Sequence, residues 1–431
     1  MDDTPSYKGI LTRCLRHGRD QEFIHSSALH NLRPSYLPRT DHLSLPQMAT
    51  LTFARTPVIH VLFLAHLLLS DYGLITGVVS LGINYGQVGN NLLPPEKVLT
   101  LLSNLHVTKA RIYDTNPQVL TTFANSNVDL IVTVENDMLA HLVDPQEALQ
   151  WVSTRVKPYI PVTKISGIAV GNEILTDNDQ TLVSNLVPAM ISIHSALVQL
   201  GLDSDIHVST PNSLAVLAES YPPSAGVFKP ELYGAMPQFL QFLSTTKAPF
   251  WVNAYPYYAY KDDPSNVSLD YVLFNSNPGI IDPYTKLQYD NMLYAQVDAV
   301  IFAIARMGYG DIEVRISETG WPSKGDANEY GATIENAKIY NKNLMRRQFG
   351  NEGTPLRPNE RLEVYVFALF NEDMKPGPTS ERNYGLFLPD GTMAYNVVGP
   401  SGSAPMGICR IGEFWSLVYW MSVYLLMLSL W

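Results

Sequence analysis

Residues 165–171 read ISGIAVG and run directly into Asn172 and Glu173. The run is apolar and partly β-branched without clean alternation, which is typical of a strand buried on both faces of a parallel sheet. A carboxylate at the end of such a strand is costly unless it is solvated or used. This segment therefore predicts a parallel sheet in which at least one strand ends on an acidic side chain.

Similar runs lie on both sides of this segment along the chain. They occupy residues 80–85, 110–113, 129–134, 206–210, 250–255, 313–317 and 364–370. Longer amphipathic segments fall between them, at residues 94–105, 145–156, 287–307 and 334–349, and Asp144 is a suitable N-cap for the second.

Alternating strands and helices predict βαβ units. Eight strands within about 320 residues favour one closed (β/α)8 TIM barrel as a single catalytic domain of the α/β class. A doubly wound open sheet is the alternative fold. Its dinucleotide-binding version is disfavoured because no GxGxxG sequence follows the first strand.

Composition and the positions of Cys and His argue against several classes of function. The formal net charge of −11 argues against a nucleic-acid partner, since phosphate binding requires clustered Lys and Arg. The two cysteines, Cys14 and Cys409, lie outside the predicted barrel, and the histidines show no ligand-pair spacing. We therefore expect neither a metal nor an organic cofactor.

The region before the barrel contains two kinds of sequence. Residues 1–47 mix charges and prolines without periodicity, and we interpret them as an unstructured extension or a gene-model artefact. Residues 48–79 combine Met48, the basic Arg55, the apolar run 58–69 and a small-residue exit, the layout of a secretory signal peptide. A disordered tail with a buried apolar segment is the alternative.

The region after the barrel, residues 401–431, begins with the small residues SGSA at 401–404. A spacer follows, and residues 414–431 are nearly all apolar. This layout predicts a GPI-attachment signal, which would make the lipid anchor the only membrane association. A transmembrane anchor and a gene-model artefact are the alternatives. The barrel itself is predicted over residues 80–400.

Two glutamates stand out at predicted strand ends, Glu173 after strand four and Glu318 after strand seven. These strands lie across the barrel mouth from each other, and active sites of such barrels lie at the carboxyl ends of strands. Helix capping or ion pairing would explain either glutamate alone. Together, surrounded by Tyr, Trp, Asn and Phe, they match the carboxylate pair of a glycosidase, in which Asn172 would hold the sugar 2-hydroxyl. Nearby aromatic rings would offer flat surfaces to pyranose rings.

Six motifs occur in order along this region, and together they resemble glycoside hydrolase family 17, the plant glucan endo-1,3-β-glucosidases. They are GINYGQVGNNLLPP at 82–95, ARIYDTNP at 110–117, AVGNE at 169–173, VNAYPYY at 252–258, ISETGWPS at 316–323 and FNEDMKPGPTSERNYGLF at 370–387. The resemblance spans about residues 81–397 and implies a retaining mechanism on a (β/α)8 barrel.

The resemblance also implies roles for individual residues. It assigns the acid/base to Glu173 and the nucleophile to Glu318, and it places a charged cluster on Glu372, Lys375 and Glu381. Ion pairing on the surface is the alternative for Lys375 and Glu381. The implied cleft residues are Tyr85, Tyr255 and Phe370, for which core packing is the alternative.

The implied substrate is a β-1,3-glucan such as callose or laminarin, cut by a secreted monomer in the cell wall or at the outer face of the plasma membrane. Hydrolysis of mixed-linkage β-1,3;1,4-glucan, glycosyl transfer and catalytically silent glucan binding remain the alternatives. Unlike the longer members of the family, this sequence is not expected to contain a cysteine-rich carbohydrate-binding module after the barrel. The sequon at Asn266 is compatible with secretion.

Overall fold

The computed structural model describes residues 81–397. Its strands are β1 (Leu81–Tyr85), β2 (Lys109–Ile112), β3 (Asp129–Val134), β4 (Ile165–Val170), β5 (His207–Ser209), β6 (Pro211–Ser213), β7 (Leu217–Glu219), β8 (Val227–Phe228), β9 (Phe250–Asn253), β10 (Ile280–Ile281), β11 (Gln288–Tyr289), β12 (Val314–Thr319) and β13 (Val364–Val366). Its α-helices are α1 (Pro95–Asn104), α2 (Pro117–Thr122), α3 (Leu139–Leu142), α4 (Pro145–Arg155), α5 (Gln180–Leu200), α6 (Met236–Thr246), α7 (Pro256–Asp262), α8 (Leu269–Val272), α9 (Met292–Arg306) and α10 (Ile334–Phe349).

The main sheet closes on itself. Its strand order is β5-β4-β3-β2-β1-β13-β12-β9-β6, and all its pairings are parallel. The two end strands, β5 and β6, are separated in the chain by Thr210 alone, so they are successive parts of one strand. The architecture is therefore a (β/α)8 barrel, as the sequence predicts.

Each of the eight predicted strands has its counterpart in this barrel, although several are shorter than predicted. Residues 367–370 lie beyond the end of β13, whereas Glu318 lies inside β12 and not after it. The predicted helix at 287–307 begins only at Met292, because Asn291 caps it by accepting a hydrogen bond from the Tyr294 backbone at 2.8 Å. The long helix α5 is absent from the sequence-based prediction.

Helix α5 is long and apolar enough to cross a membrane by length and composition. Its inner face is buried, with Leu186, Met190, Ile193 and Leu197 in the core that surrounds the barrel. This packing is that of a barrel helix.

The barrel interior is filled with side chains. Ile131, Ala169, Trp251 and Tyr365 form a separate buried cluster, distinct from the large core between the sheet and the helices. Gly82 makes room for the ring of Tyr365, since a Cβ at this glycine would lie 2.4 Å from Tyr365 Cδ1. A filled interior leaves the loops at the carboxyl ends of the strands as the place for a site.

Candidate active site

Glu318 lies near the carboxyl end of β12 with its carboxylate held by three donors. Arg111 Nη1 and the Tyr113 hydroxyl donate to Oε1 at 2.7 and 2.8 Å, and the Tyr255 hydroxyl donates to Oε2 at 2.8 Å. Burial is the main cause, and the charge of Glu318 the second, that raises the pKa of both tyrosines well above the usual value. Both hydroxyls therefore remain protonated donors. Donors aimed at a carboxylate stabilise its charged form.

Arg111 connects the two predicted catalytic segments. Its side chain is fully buried on β2, and its second amino group, Nη2, donates to Asn172 Oδ1 at 2.8 Å. The guanidinium also lies over the Tyr113 ring, 4.5 Å from the centroid. A planar guanidinium can hold two acceptors in fixed directions. Arg111 therefore fixes Glu318 and the residue before Glu173 relative to each other.

Glu173 follows β4 in an unusual backbone conformation. Its φ is 57°, in the left-handed region, and Gly171 two residues earlier has a φ of 67°. The side chain of Asn136 accepts from the Asn172 backbone N–H at 2.8 Å and donates to the Asn172 carbonyl at 3.3 Å. The Glu173 N–H donates to the Pro211 carbonyl at 2.9 Å. Left-handed backbone at a residue other than glycine persists only where surrounding contacts hold it, often at functional sites.

The environment of the Glu173 carboxyl differs from that of Glu318. The carboxyl is half-buried, and Asn253 Nδ2 donates to its Oε1 at 3.0 Å. Burial and then the negative charge of Glu318 raise the pKa of Glu173 to about 7, although the Asn253 hydrogen bond and Arg111 act in the opposite direction. Two neighbouring carboxyls in such different surroundings are suited to opposite acid–base roles.

The predicted charged cluster lies beside these glutamates. Burial raises the pKa of Glu372, and the charge of Glu318 contributes to the rise. The Glu372 carboxylate accepts from the Val88 N–H at 2.8 Å and lies so close to Gly86 that a Cβ there would be 2.3 Å from Oε1. Glu381 pairs with Lys375 at 3.3 Å, and its charge also raises the pKa of Glu173.

The aromatic residues divide into two groups. Tyr255 is half-buried with its hydroxyl on Glu318, whereas Tyr85 and Phe370 are each only 2% exposed and pack edge to face, with ring centroids 6.2 Å apart. This burial favours core packing for Tyr85 and Phe370. Trp321 is also fully buried, and its Nε1 donates to the Gly331 carbonyl at 2.7 Å, so it offers no open face to a sugar.

Sequence reasoning missed several residues that support the glutamates. They are Arg111, Tyr113, Asn136, Asn253 and Ser317. Arg111 had a signal, because an arginine between apolar residues of a buried strand needs a buried anion as its partner. Tyr113 and Asn253 lie at or near the ends of predicted strands, in the motifs ARIYDTNP and VNAYPYY. Their contacts with the glutamates, like the supporting contacts of Asn136 and Ser317, depend on which strand ends meet.

The geometry agrees with comparisons to known proteins. The sequence profile described as glycosyl hydrolases family 17 matches residues 81–398. Glucan endo-1,3-beta-glucosidase 11 of Arabidopsis thaliana is 51% identical over 324 residues, 75% of this chain and 76% of that protein. A glucan endo-1,3-beta-D-glucosidase of Olea europaea is 42% identical over 337 residues, 78% of this chain and 73% of that protein.

Solved structures agree as well. A β-1,3-glucanase and allergen of Cryptomeria japonica pollen has a TM-score of 0.71 and 42% identity, covering 74% of this chain and 98% of that one. One of two plant β-glucan endohydrolases with distinct substrate specificities has a TM-score of 0.68 and 35% identity, covering 73% of this chain and 99% of that one. With its barrel, its paired glutamates and these matches, the chain belongs to the glycosyl hydrolases of family 17.

Proposed function

We propose that this protein hydrolyses internal β-1,3-glucosidic bonds of β-1,3-glucans with retention of configuration. Glu173 is the acid/base and Glu318 the nucleophile. The observation that carries this assignment is the contrast between the two carboxyls. Glu318 receives three hydrogen bonds, one from a buried guanidinium, whereas Glu173 receives a single side-chain hydrogen bond and has a pKa of about 7.

The first step breaks the glycosidic bond. Glu173 gives its proton to the glycosidic oxygen while Glu318 attacks the anomeric carbon, so the bond between that carbon and the leaving oxygen breaks. The leaving glucan departs as an alcohol, and the remaining glycosyl group is held on Glu318 as an ester. Burial and then the charge of Glu318 raise the pKa of Glu173 to about 7, so a large fraction of Glu173 carries the proton that this step requires up to about neutral pH.

The second step releases the remaining glycosyl group. Glu173, now ionised, takes a proton from water while the water oxygen attacks the anomeric carbon and displaces Glu318. Two inversions at one carbon leave the product with its β configuration. Arg111, Tyr113 and Tyr255 stabilise the carboxylate that leaves.

Further residues are assigned to substrate binding. Asn172, oriented by Arg111 and Asn136, holds the hydroxyl at carbon 2 of the sugar. Glu372, Lys375 and Glu381 bind hydroxyls of neighbouring sugar units, and Tyr255 lines the cleft. Tyr85 and Phe370 are assigned to the core, since both are buried and their rings pack against each other.

Relatives and solved structures named as β-1,3-glucanases support β-1,3-glucan as the substrate. Hydrolysis of mixed-linkage glucan is the second candidate, because one similar structure belongs to a pair of plant β-glucan endohydrolases with distinct substrate specificities. Parallel assays on laminarin and on barley mixed-linkage glucan distinguish the two. Faster release of reducing ends from laminarin supports the proposal, and faster release from the mixed-linkage polymer contradicts it.

Secretion and anchoring belong to the same proposal, although the segments concerned, residues 1–80 and 398–431, lie outside the described residues. Residues 48–79 act as a cleaved secretory signal after the extension 1–47, and residues 401–431 direct GPI attachment of the monomeric barrel domain. Asn266, exposed in the loop before α8, accepts an N-linked glycan. Release from plant membranes by phosphatidylinositol-specific phospholipase C supports the anchor, and retention after that treatment contradicts it.

The activity is tested on the full chain by measuring reducing-sugar release from laminarin. The wild type is compared with Glu318→Ala and Glu173→Ala. Losses of about 10³-fold or more in each variant are expected, since each removes a group that acts on the reacting atoms. A wild type that binds laminarin without releasing reducing ends supports the silent glucan-binding alternative instead.

A further inference from the structure

Ser317 is an extra residue in β12 relative to both neighbouring strands. Against β9, Ile316 pairs with Val252 and Glu318 pairs with the very next residue, Asn253. Against β13, the register also shifts between Ile316 and Thr319. A β-bulge of this kind bends the strand and redirects the side chains that follow, here Glu318.

The bulge is held in part from β1, which lies two strands away from β12 in the sheet. Asn84 on β1 is fully buried, and its Nδ2 donates to the Ser317 carbonyl at 3.0 Å. The adjacent Glu318 carbonyl accepts from the Ala254 N–H at 3.0 Å. A bulge interrupts the regular hydrogen bonding between strands and leaves backbone carbonyls without their usual partners. These two hydrogen bonds satisfy the carbonyls of Ser317 and Glu318 and fix the backbone that carries Glu318.

The Ser317 side chain reaches towards the opposite glutamate through one intermediate. Its Oγ donates to Asn253 Oδ1 at 2.7 Å, and Asn253 Nδ2 donates to Glu173 Oε1 at 3.0 Å. A carboxamide has one accepting end and one donating end. With its oxygen bound to the serine hydroxyl, Asn253 presents its NH2 group to Glu173.

We propose that Ser317 is a positioning residue for the acid/base: its hydroxyl fixes the orientation of the Asn253 amide and thereby holds the Glu173 carboxyl in place opposite Glu318. The residue that creates the bulge beneath the nucleophile thus also positions the acid/base. This inference rests on the proposed function of the two glutamates.

The orientation of the amide affects the charge state of Glu173 as well as its position. A reversed amide would place Asn253 Oδ1 against an ionised carboxylate, and two acceptors repel each other. The existing hydrogen bond opposes the rise in pKa that burial causes. Loss of the serine hydroxyl should therefore raise the pKa of Glu173 and loosen its position.

The test compares Ser317→Ala, Asn253→Ala and the double variant with the wild type. Ser192→Ala is the control, because Ser192 is also a buried serine whose hydroxyl donates a hydrogen bond, to the Val143 carbonyl at 2.9 Å, but it lies on the outer helix α5. Each protein is assayed on laminarin and on a dinitrophenyl laminaribioside. The aryl leaving group departs without a proton, so formation of the glycosyl-enzyme on this substrate does not need the acid. The burst of dinitrophenol release measures the rate of that step.

Ser317→Ala is expected to lose about 10- to 100-fold on laminarin, since a misplaced acid loses part of the roughly 10²- to 10⁴-fold that general acid catalysis contributes, while the aryl burst changes less than about threefold. The double variant should lose no more than Asn253→Ala alone, since both residues act through one contact. Equal losses on both substrates, or multiplied losses in the double variant, would overturn the proposal and leave Ser317 with a purely structural role.

A second readout needs no turnover, which separates this inference from the proposed function. The Glu173 carboxyl is titrated by ¹³C NMR, with Glu173→Gln identifying its signal. A higher pKa in Ser317→Ala, with no shift in Ser192→Ala, supports the positioning role even if laminarin is not the substrate. An unchanged Glu173 titration overturns it even in a fully active enzyme.

Discussion

Arg111 and Glu318 form a buried ion pair at the carboxyl end of the barrel, with Nη1 and Oε1 2.7 Å apart and side-chain exposures of 0% and 8%. Removal of one member of such a pair leaves an uncompensated charge in a region of low polarity. The pair therefore links the stability of the barrel to the state of the proposed nucleophile.

Replacement of Arg111 by Met should lower the free energy of unfolding by about 3–5 kcal/mol at neutral pH, because Glu318 loses its buried counter-charge. The activity on laminarin should fall by about 100-fold or more, as after loss of one preorganised donor. Urea unfolding and initial rates measure the two effects. Arg347→Met is the control: its partners Asp290 and Glu352 are partly exposed, so about 1 kcal/mol or less is expected. Similar losses in both variants would contradict the special role of Arg111.

The pH profile of kcat/KM should fall on its basic side around pH 7, because Glu173 must carry a proton in the first step and its pKa is about 7. The profile is measured on laminarin in buffers of constant ionic strength. In Glu173→Ala, the residual activity on laminarin should lack this basic limb. A basic limb that persists unchanged in Glu173→Ala would assign the ionisation to another group.

Gly86 and Glu372 should be coupled in stability. An added Cβ at Gly86 would lie 2.3–2.5 Å from the Glu372 carboxylate atoms, so Gly86→Ala should destabilise the fold by about 1–3 kcal/mol. In a Glu372→Ala background the same change should be nearly neutral, because the space is then free. Chemical denaturation of the wild type, the two single variants and the double variant gives the coupling free energy between the two residues. Additive effects would show that the two residues do not meet in solution.

Two buried aspartates should respond oppositely to pH. Burial raises the pKa of Asp298 to about 6, despite hydrogen bonds from Thr354 and Leu356. Burial also opposes ionisation of Asp282, but hydrogen bonds from the Thr285 and Ser224 N–H groups outweigh it, so the pKa of Asp282 is lowered.

The sign of each effect follows from proton linkage. The contribution of Asp298 is fully present below its unfolded pKa of 3.8 and is lost as pH rises through about 6, so Asp298→Asn should gain stability relative to wild type over this range. The contribution of Asp282 is present above 3.8 and is lost as pH falls through its lowered pKa, so Asp282→Asn should be most harmful at neutral pH. Thermal unfolding from about pH 2 to about pH 8 covers the pH range in which each contribution changes. Parallel responses of the two variants would contradict these environments.

Much of the fold follows from local sequence pattern. The apolar runs predict all eight barrel strands because strands covered on both faces need apolar residues throughout. Helix α5 was not predicted for two reasons. Pro188 lies inside it, and proline usually marks the end of a helix. Its outer face also carries apolar residues such as Ile191 and Val198, so the sequence does not alternate between an apolar and a polar face at the helical period.

The site is predictable only where chemistry marks it. Glu173 and Glu318 stand out because a carboxylate in or beside a buried apolar strand requires an explanation, and the resemblance points to the same pair. The bulge at Ser317 depends on the register between strands, and the hydrogen bonds from the Asn136 side chain to the Asn172 backbone depend on loop geometry. Neither can be read from the pattern of residue types along the chain. For Tyr85 and Phe370 the sequence left cleft and core as alternatives, and the structure favours the core.

The central claim, a retaining mechanism in which Glu318 forms the covalent intermediate, is tested most directly by trapping. The wild type is incubated with a 2-deoxy-2-fluoro laminaribiosyl fluoride, digested, and mapped by mass spectrometry. We predict stoichiometric inactivation and a fluoroglycosyl ester on Glu318. A label on another residue would contradict the account. So would the absence of any label together with turnover of laminarin in which the first-formed product has the α configuration.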